Sequence, residues 1–300
     1  VLFQLTWGHW FLIFSQRIPN VACIFSNNPA CNYNSFSQKA SIVIMERQVR
    51  FSNAFGETII GTLHVPEISS DRGIVLGHCF TCSRHTGILR EIATYLSKNG
   101  FMALRFDFSG NGQSEGTFEQ STYSKQVSEM SAGADVLAKE GVQWMGLAGH
   151  SLGASVAVLT AAREGRIRAV CAIAGRLAGM SPSHFLNRQQ KDELTRTGRV
   201  HFNSRGRALE LTSSFFSDAR NYNLPEIIAG LRAPLLVVHG DQDDIVPVTE
   251  ARRTKEANPD RVELAVFENA DHMFSATDLR ESTAQYITAW FSAQYEMASI

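Results

Sequence analysis

The stretch VQWMGLAGHSLGASVAVLTAAREG, residues 142–165, decides how the rest of the chain is read. Its first part is an apolar run that reads as a strand buried on both faces. Its second part is a run of small residues that reads as a helix. Between them GHSLG, Gly149–Gly153, fits G-x-S-x-G in the strand–turn–helix context the motif requires. Such a turn lifts the Ser151 hydroxyl clear of the C-terminal edge of a sheet. It also sets the hydroxyl at the positive end of a helix, where a developing anion is favoured.

Outward from this turn the pattern is an alternation. RQVRFSN and TIIGTLHVP read as a hairpin, GIVLGHCF as a third strand and FMALRFDFSG as a fourth. TGILREIATYLSKNG and STYSKQVSEMSAGADVLAKEG carry helical spacing, and IRAVCAIAG is a further strand. From Arg176 to Leu224 no strand signal is read, and the block is too long for an ordinary connection. It is expected to be an inserted cap of residues 176–224 with its own helices. Alternation then resumes through LPEIIAGL, APLLVVHGDQD, TEARRTKEAN, RVELAVFENADH and a closing amphipathic helix. The fold class expected is α/β, a mostly parallel sheet with helices on both faces and a short inserted cap.

A serine needs a base, and the base needs an orienting acid; the chain order for this turn is serine, acid, histidine. Downstream of Ser151 stand His184, His201, His239 and His272, and only His272, in NADHMF, follows the last strand and every acid. In HGDQDDIVP the candidates are Asp241, Asp243 and Asp244, and Asp243 is chosen to hold His272 Nδ1–H. His78 and His150 flank these groups and read as structural, bonding backbone near the turn. Arg105 and Asp107 read as loop-holding residues. SGNGQS lacks the register and the lysine of a phosphate loop.

Bulk properties exclude several classes. With 28 Lys and Arg against 29 Asp and Glu, the net charge is −1, so nothing points to nucleic acid or an anionic membrane. The basic residues between Arg188 and Arg207 read as a solvated surface. No apolar run reaches the roughly 18–20 residues of a membrane span. Five scattered cysteines do not form a secreted disulfide framework, so reduced thiols and a cytoplasmic location are expected. Cys79 and Cys82 stand in a C-x-x-C spacing, but no second Cys/His pair offers zinc its remaining ligands. No metal and no cofactor is expected, and a thiol switch is a further reading of the pair. The first methionine is Met45, and residues 1–44 are expected to be leader sequence or a loosely attached segment ahead of a domain at 45–300.

GHSLG, HGDQDDIVP and ADHMF, with RFDFSGNGQSEG after the fourth strand, make the chain from about Met45 onward resemble an α/β-hydrolase. Within that superfamily it is similar to serine esterases and acyl-aminopeptidase-like hydrolases with a short cap. HCFTCS resembles the hydrolase part of bacterial hydrolase–OsmC fusions. The resemblance implies an oxyanion hole of two backbone N–H groups, Phe80 from His78-Cys79-Phe80 and Leu152 after the nucleophile; Cys79 stands where the family has glycine. It implies hydrolysis of short to medium acyl or aromatic carboxylic esters by Ser151, His272 and Asp243 through an acyl-enzyme, in a monomer or homodimer acting on a small-molecule ester. Candidate pocket residues are His78, Phe185, Phe215 and Phe216. The alternatives are a serine aminopeptidase or amidase, with Glu193 or Asp218 facing the substrate ammonium, and a non-catalytic binding module.

Overall fold

The computed structural model describes residues 45–179 and 183–299. The leader expected at 1–44 lies outside them. Ten strands are present among the described residues: β1 (Met45–Ser52), β2 (Thr58–Val65), β3 (Arg72–Gly77), β4 (Met102–Phe106), β5 (Trp144–His150), β6 (Ile167–Ile173), β7 (Arg199–Ser204), β8 (Arg207–Thr212), β9 (Leu235–Gly240) and β10 (Val262–Phe267). The helices are α1 (Gly87–Lys98), α2 (Tyr123–Lys139), α3 (Leu152–Arg163), α4 (Arg188–Thr197), α5 (Ser213–Ala219), α6 (Leu224–Ala229), α7 (Thr249–Ala257) and α8 (Thr277–Ala298).

Eight strands form one sheet in the order β1-β2-β4-β3-β5-β6-β9-β10. β2 runs antiparallel to both neighbours, and the pairs from β4 to β10 are parallel. Side chains alternate across it, as the pleat requires. Val75, Leu147 and Val237 face a core shared with α2 and α3, whereas Ile74, Leu76, Ala148 and Val238 face one shared with α1 and α8. Burial on both faces is why the central strands read as unbroken apolar runs. The loops after β3, β4, β5, β6, β9 and β10 all leave the C-terminal edge, where open α/β sheets place their sites.

One expectation is corrected between β6 and β9. The block read as having no strand contains the β7–β8 hairpin, paired from Arg199↔Thr212 to Ser204↔Arg207. Its turn is Arg205-Gly206, both at positive φ, 51° and 73°. That geometry suits a two-residue hairpin turn, and an R-G pair between alternating segments was its sequence signal. Val200, Leu209 and Leu211 are its buried face.

Candidate active site

The turn after β5 explains its own motif. Ser151 sits at φ 56°, ψ −114°, a positive φ that a side chain tolerates only when its surroundings enforce it. Two close approaches do so. A Cβ on Gly149 would strike the Gly153 carbonyl, and one on Gly153 would strike the carbonyl of Gly77. The second contact presses the loop after β3 onto the N-terminus of α3. Ser151 N–H donates to Ile173 O at 2.8 Å, which ties the turn to β6.

The chosen acid and histidine meet. His272 Nδ1 lies 2.8 Å from Asp243 Oδ2. Asp243 Oδ1 accepts N–H groups from Ile245 at 2.9 Å and Val246 at 2.7 Å. Oδ2 also faces His239 Nε2 at 3.2 Å. Burial alone would raise the Asp243 pKa, but the hydrogen bonds from His239, His272 and Val246 outweigh it and hold the carboxyl well below the usual range. With Asp243 ionised, the shared hydrogen belongs to His272 Nδ1. Asp241 and Asp244 go elsewhere. Asp241 Oδ1 accepts Asn269 N–H at 2.7 Å, stitching the acid loop to the histidine loop, and Asp244 is exposed.

His272 reaches the serine turn through His150. His150 Nε2 lies 2.7 Å from the His272 carbonyl, and the two rings are 4.9 Å apart. A carbonyl only accepts, so His150 is the Nε2–H tautomer. Burial, with His272 beside it, pushes its pKa down to about 3. His78 plays the matching part under the β3 loop. Its Nδ1 donates to Cys79 O at 2.7 Å and its Nε2 accepts Phe108 N–H at 3.0 Å, so it is neutral; burial takes its pKa down to about 4. His78 is fully buried and does not line the cavity, so the expectation that it is a pocket residue is corrected: it supports the loop after β3.

A cavity of about 170 Å³ opens at Ser151, lined by residues that include Phe80, Tyr123, Leu152, Phe185, Phe215, Ile245 and Val246. As the first residue of α3, Leu152 has an N–H with no carbonyl partner within the helix. Phe80 is packed by Phe118, Phe185, Phe202 and Phe215 at ring distances of 5.2, 5.3, 5.9 and 5.5 Å. Phe216 stands behind this wall, against Phe215 at 5.3 Å.

The C-x-x-C pair departs from expectation. Cys79 and Cys82 are joined in a disulfide with Cα atoms 5.2 Å apart, a separation the bond requires. Cys82 N–H donates to Cys79 O at 3.1 Å, so the bond closes a tight turn around Phe80. Cys171 is a buried free thiol, and Cys23 and Cys31 lie outside the described residues. Among the described residues no cluster of three or more His, Cys, Asp or Glu is placed to hold a metal, and no helix is long and apolar enough to cross a membrane. Asp107, fully buried, accepts Arg84 N–H at 2.6 Å, pairs with the Arg84 guanidinium and accepts Gln113 N–H at 3.0 Å, so it knots the loops after β3 and β4.

Three features escaped the sequence: His239 as a second partner of Asp243, Tyr123 in the cavity wall, and Arg176 beside it. The first had a signal, a histidine four residues ahead of the acid. The other two depend on where distant loops converge and had none.

The fold is that of the α/β-hydrolases. It matches the structure of Est1E from Butyrivibrio proteoclasticus with ferulic acid bound (TM-score 0.71, 20% identity, covering 83% of this chain and 99% of that one). It also matches an esterase domain from Rhodothermus marinus (TM-score 0.64, 24% identity, 82% and 97%). A third match is mouse alpha/beta hydrolase domain-containing protein 10 (TM-score 0.67, 19% identity, 82% and 99%). No curated protein matches. The profile of the family described as serine aminopeptidase, S33, matches residues 72–223, and the chain belongs to that family.

Proposed function

We propose that the protein is a serine carboxylesterase, in which Ser151 is the nucleophile, His272 the general base and Asp243 its orienting acid. Residues 176–224 are read as a cap over the acyl pocket. Ser151 Oγ attacks the ester carbonyl as His272 Nε2 takes its proton. The N–H groups of Phe80 and Leu152 hold the oxyanion. His272 returns the proton to the departing alkoxide, and water repeats the cycle on the acyl-enzyme. The ionised Asp243 stabilises the imidazolium in each half.

The observation that carries this reading is a strained serine turn opening on an apolar cavity, with the His272–Asp243 pair tied to that turn through His150. The choice of ester over aminopeptide rests on charge. An aminopeptidase needs a carboxylate for the substrate ammonium, and no carboxylate lines the cavity among the described residues. Asp218 is engaged by Ser124 N–H at 2.8 Å and by the Ser124 hydroxyl, and Glu193 pairs with His201. A cavity of about 170 Å³ suits one ring or a short chain, since an engineered cavity near 150 Å³ holds benzene. The ferulic acid in Est1E is a single-ring acid, which makes aromatic esters the second substrate class to examine.

The test is a p-nitrophenyl ester series, acetate through long chain, run beside aminoacyl p-nitroanilides. Activity peaking at short to medium acyl chains, with the anilides poor, is the expected result. Anilides turned over better than every ester would overturn the assignment in favour of an aminopeptidase.

A further inference from the structure

Arg176 is the one charged side chain in the wall of the cavity among the described residues, in a lining otherwise dominated by rings and aliphatic groups. Its position is fixed relative to the nucleophile. Ser155 Oγ donates to the Arg176 carbonyl at 3.3 Å, and Ser155 itself lines the cavity. Ser155 lies in the first turn of α3, which begins directly after Ser151. The chain reaches Arg176 directly from β6, through Ala174, whose N–H donates to Val238 O at 2.8 Å.

The guanidinium is only partly used. Its Nη1 lies 3.4 Å from Glu250 Oε1 in the first turn of α7, a long single contact for a group with five donors. Its Nε is buried with no hydrogen-bond partner. Glu250 does not line the cavity. A cation in the wall of an apolar pocket, held by a single long ion pair, favours a ligand that brings an acceptor.

We propose that Arg176 is a specificity-determining residue that makes the acyl pocket select acyl groups carrying a carboxylate a few ångströms beyond the scissile carbonyl, that is, mono-esters of short or aromatic dicarboxylic acids. The free carboxylate accepts from Arg176 while the ester carbonyl lies at Ser151. Phe80, Tyr123 and Phe215 flank the ring or chain between them. The inference rests on the esterase reading of the same site. Glu250 acts as the internal competitor for the guanidinium, which gives the proposal a sign that a merely structural arginine lacks.

The experiment measures kcat/KM for monomethyl terephthalate and for methyl 4-methylbenzoate, a neutral ester of similar shape, and takes their ratio. Active serines are counted with a fluorophosphonate in every preparation. The parent is expected to prefer the charged ester. Arg176→Met should lower the ratio about 10- to 100-fold, mostly through KM. Arg176→Lys should restore part of it, and Glu250→Gln should raise it. A parent that labels and hydrolyses the neutral ester, but shows no preference for the charged one, overturns the inference and leaves the esterase intact. So does a ratio that Arg176→Met and Glu250→Gln leave unmoved or move in the same direction. A parent that neither labels nor hydrolyses either ester contradicts the esterase reading and the inference together.

Discussion

Along the C-terminal edge of the sheet, the serine turn and the loops after β9 and β10 are held by backbone hydrogen bonds and buried neutral histidines. The segment between β6 and β9 is held by rings. In the first region, His150 grips the carbonyl of His272 at 2.7 Å, His78 spans Cys79 and Phe108, and Asp243 accepts from two backbone N–H groups and two imidazoles. In the second, Phe185, Phe202 and Phe215 pack on Phe80, and Phe216 packs on Phe185 and Phe215. Directional bonds fix reacting atoms to fractions of an ångström, which catalysis needs. Ring packing tolerates changes of shape, which suits a wall that decides only what fits.

The largest effect that would break this contrast is at the acid. Asp243→Asn removes the acceptor that sets the His272 tautomer, and kcat should fall by about 10⁴. A fall under tenfold, in a variant with unchanged circular dichroism, would mean that Asp243 only shapes its loop.

The disulfide offers the next test. Reduction of Cys79–Cys82 by a dithiol should loosen the turn that presents Phe80 N–H. The resulting loss in kcat should stay below the roughly 10²–10³ expected for losing an oxyanion donor outright. Cys79→Ser with Cys82→Ser should reproduce that loss and no longer respond to the dithiol. Equal rates for oxidised and reduced enzyme would show that His78 and Asp107 hold the loop without it.

Acid should reach the edge loops before the ring cluster. His78 and His150 are held by burial at about 4 and 3, far below the ordinary value near 6.5. Their contribution to stability is complete above about pH 6.5. It is lost as pH falls toward the folded values, because the unfolded chain takes up the protons first. Each histidine adds at most about 1.4 kcal/mol per pH unit. Urea melts from pH 7 to pH 4 should show this decline, and a flat profile would mean the imidazoles are charged in the fold.

Within the ring cluster itself, Phe215 is 1% exposed and Phe185 is 37% exposed. Phe215→Ala should cost about 3–5 kcal/mol of stability. Phe185→Ala should cost about 1 kcal/mol or less and instead shift the preferred acyl chain upward by a few carbons, read from thermal melts and the ester series. Reversed stabilities would show that Phe185 belongs to the core rather than to the pocket wall.

The same division governs what the sequence disclosed. Gly149, Gly153 and Ser151 were legible because a serine at positive φ flanked by two close approaches admits few alternatives. Asp243 and His272 were legible because they close the last two strands, β9 and β10, in a fixed order. The region between β6 and β9 was not, since its hairpin is short, half-exposed and defined by pairing with itself. Arg176 was invisible for a different reason. Nothing local distinguishes an arginine after a strand until Ser155, Glu250 and the cavity are brought around it. The free-thiol expectation failed because a C-x-x-C spacing alone does not say whether the intervening turn brings the sulfurs together.

The most direct measurement of the central claim is fluorophosphonate labelling of the parent and of Ser151→Ala, with the modified residue located by peptide mass spectrometry and p-nitrophenyl butyrate hydrolysis followed in parallel. The account predicts one label per chain on Ser151, and a variant that neither labels nor hydrolyses above about 10⁻³ of the parent rate. A variant that keeps the parent's hydrolysis, or a label carried by another residue, would contradict it.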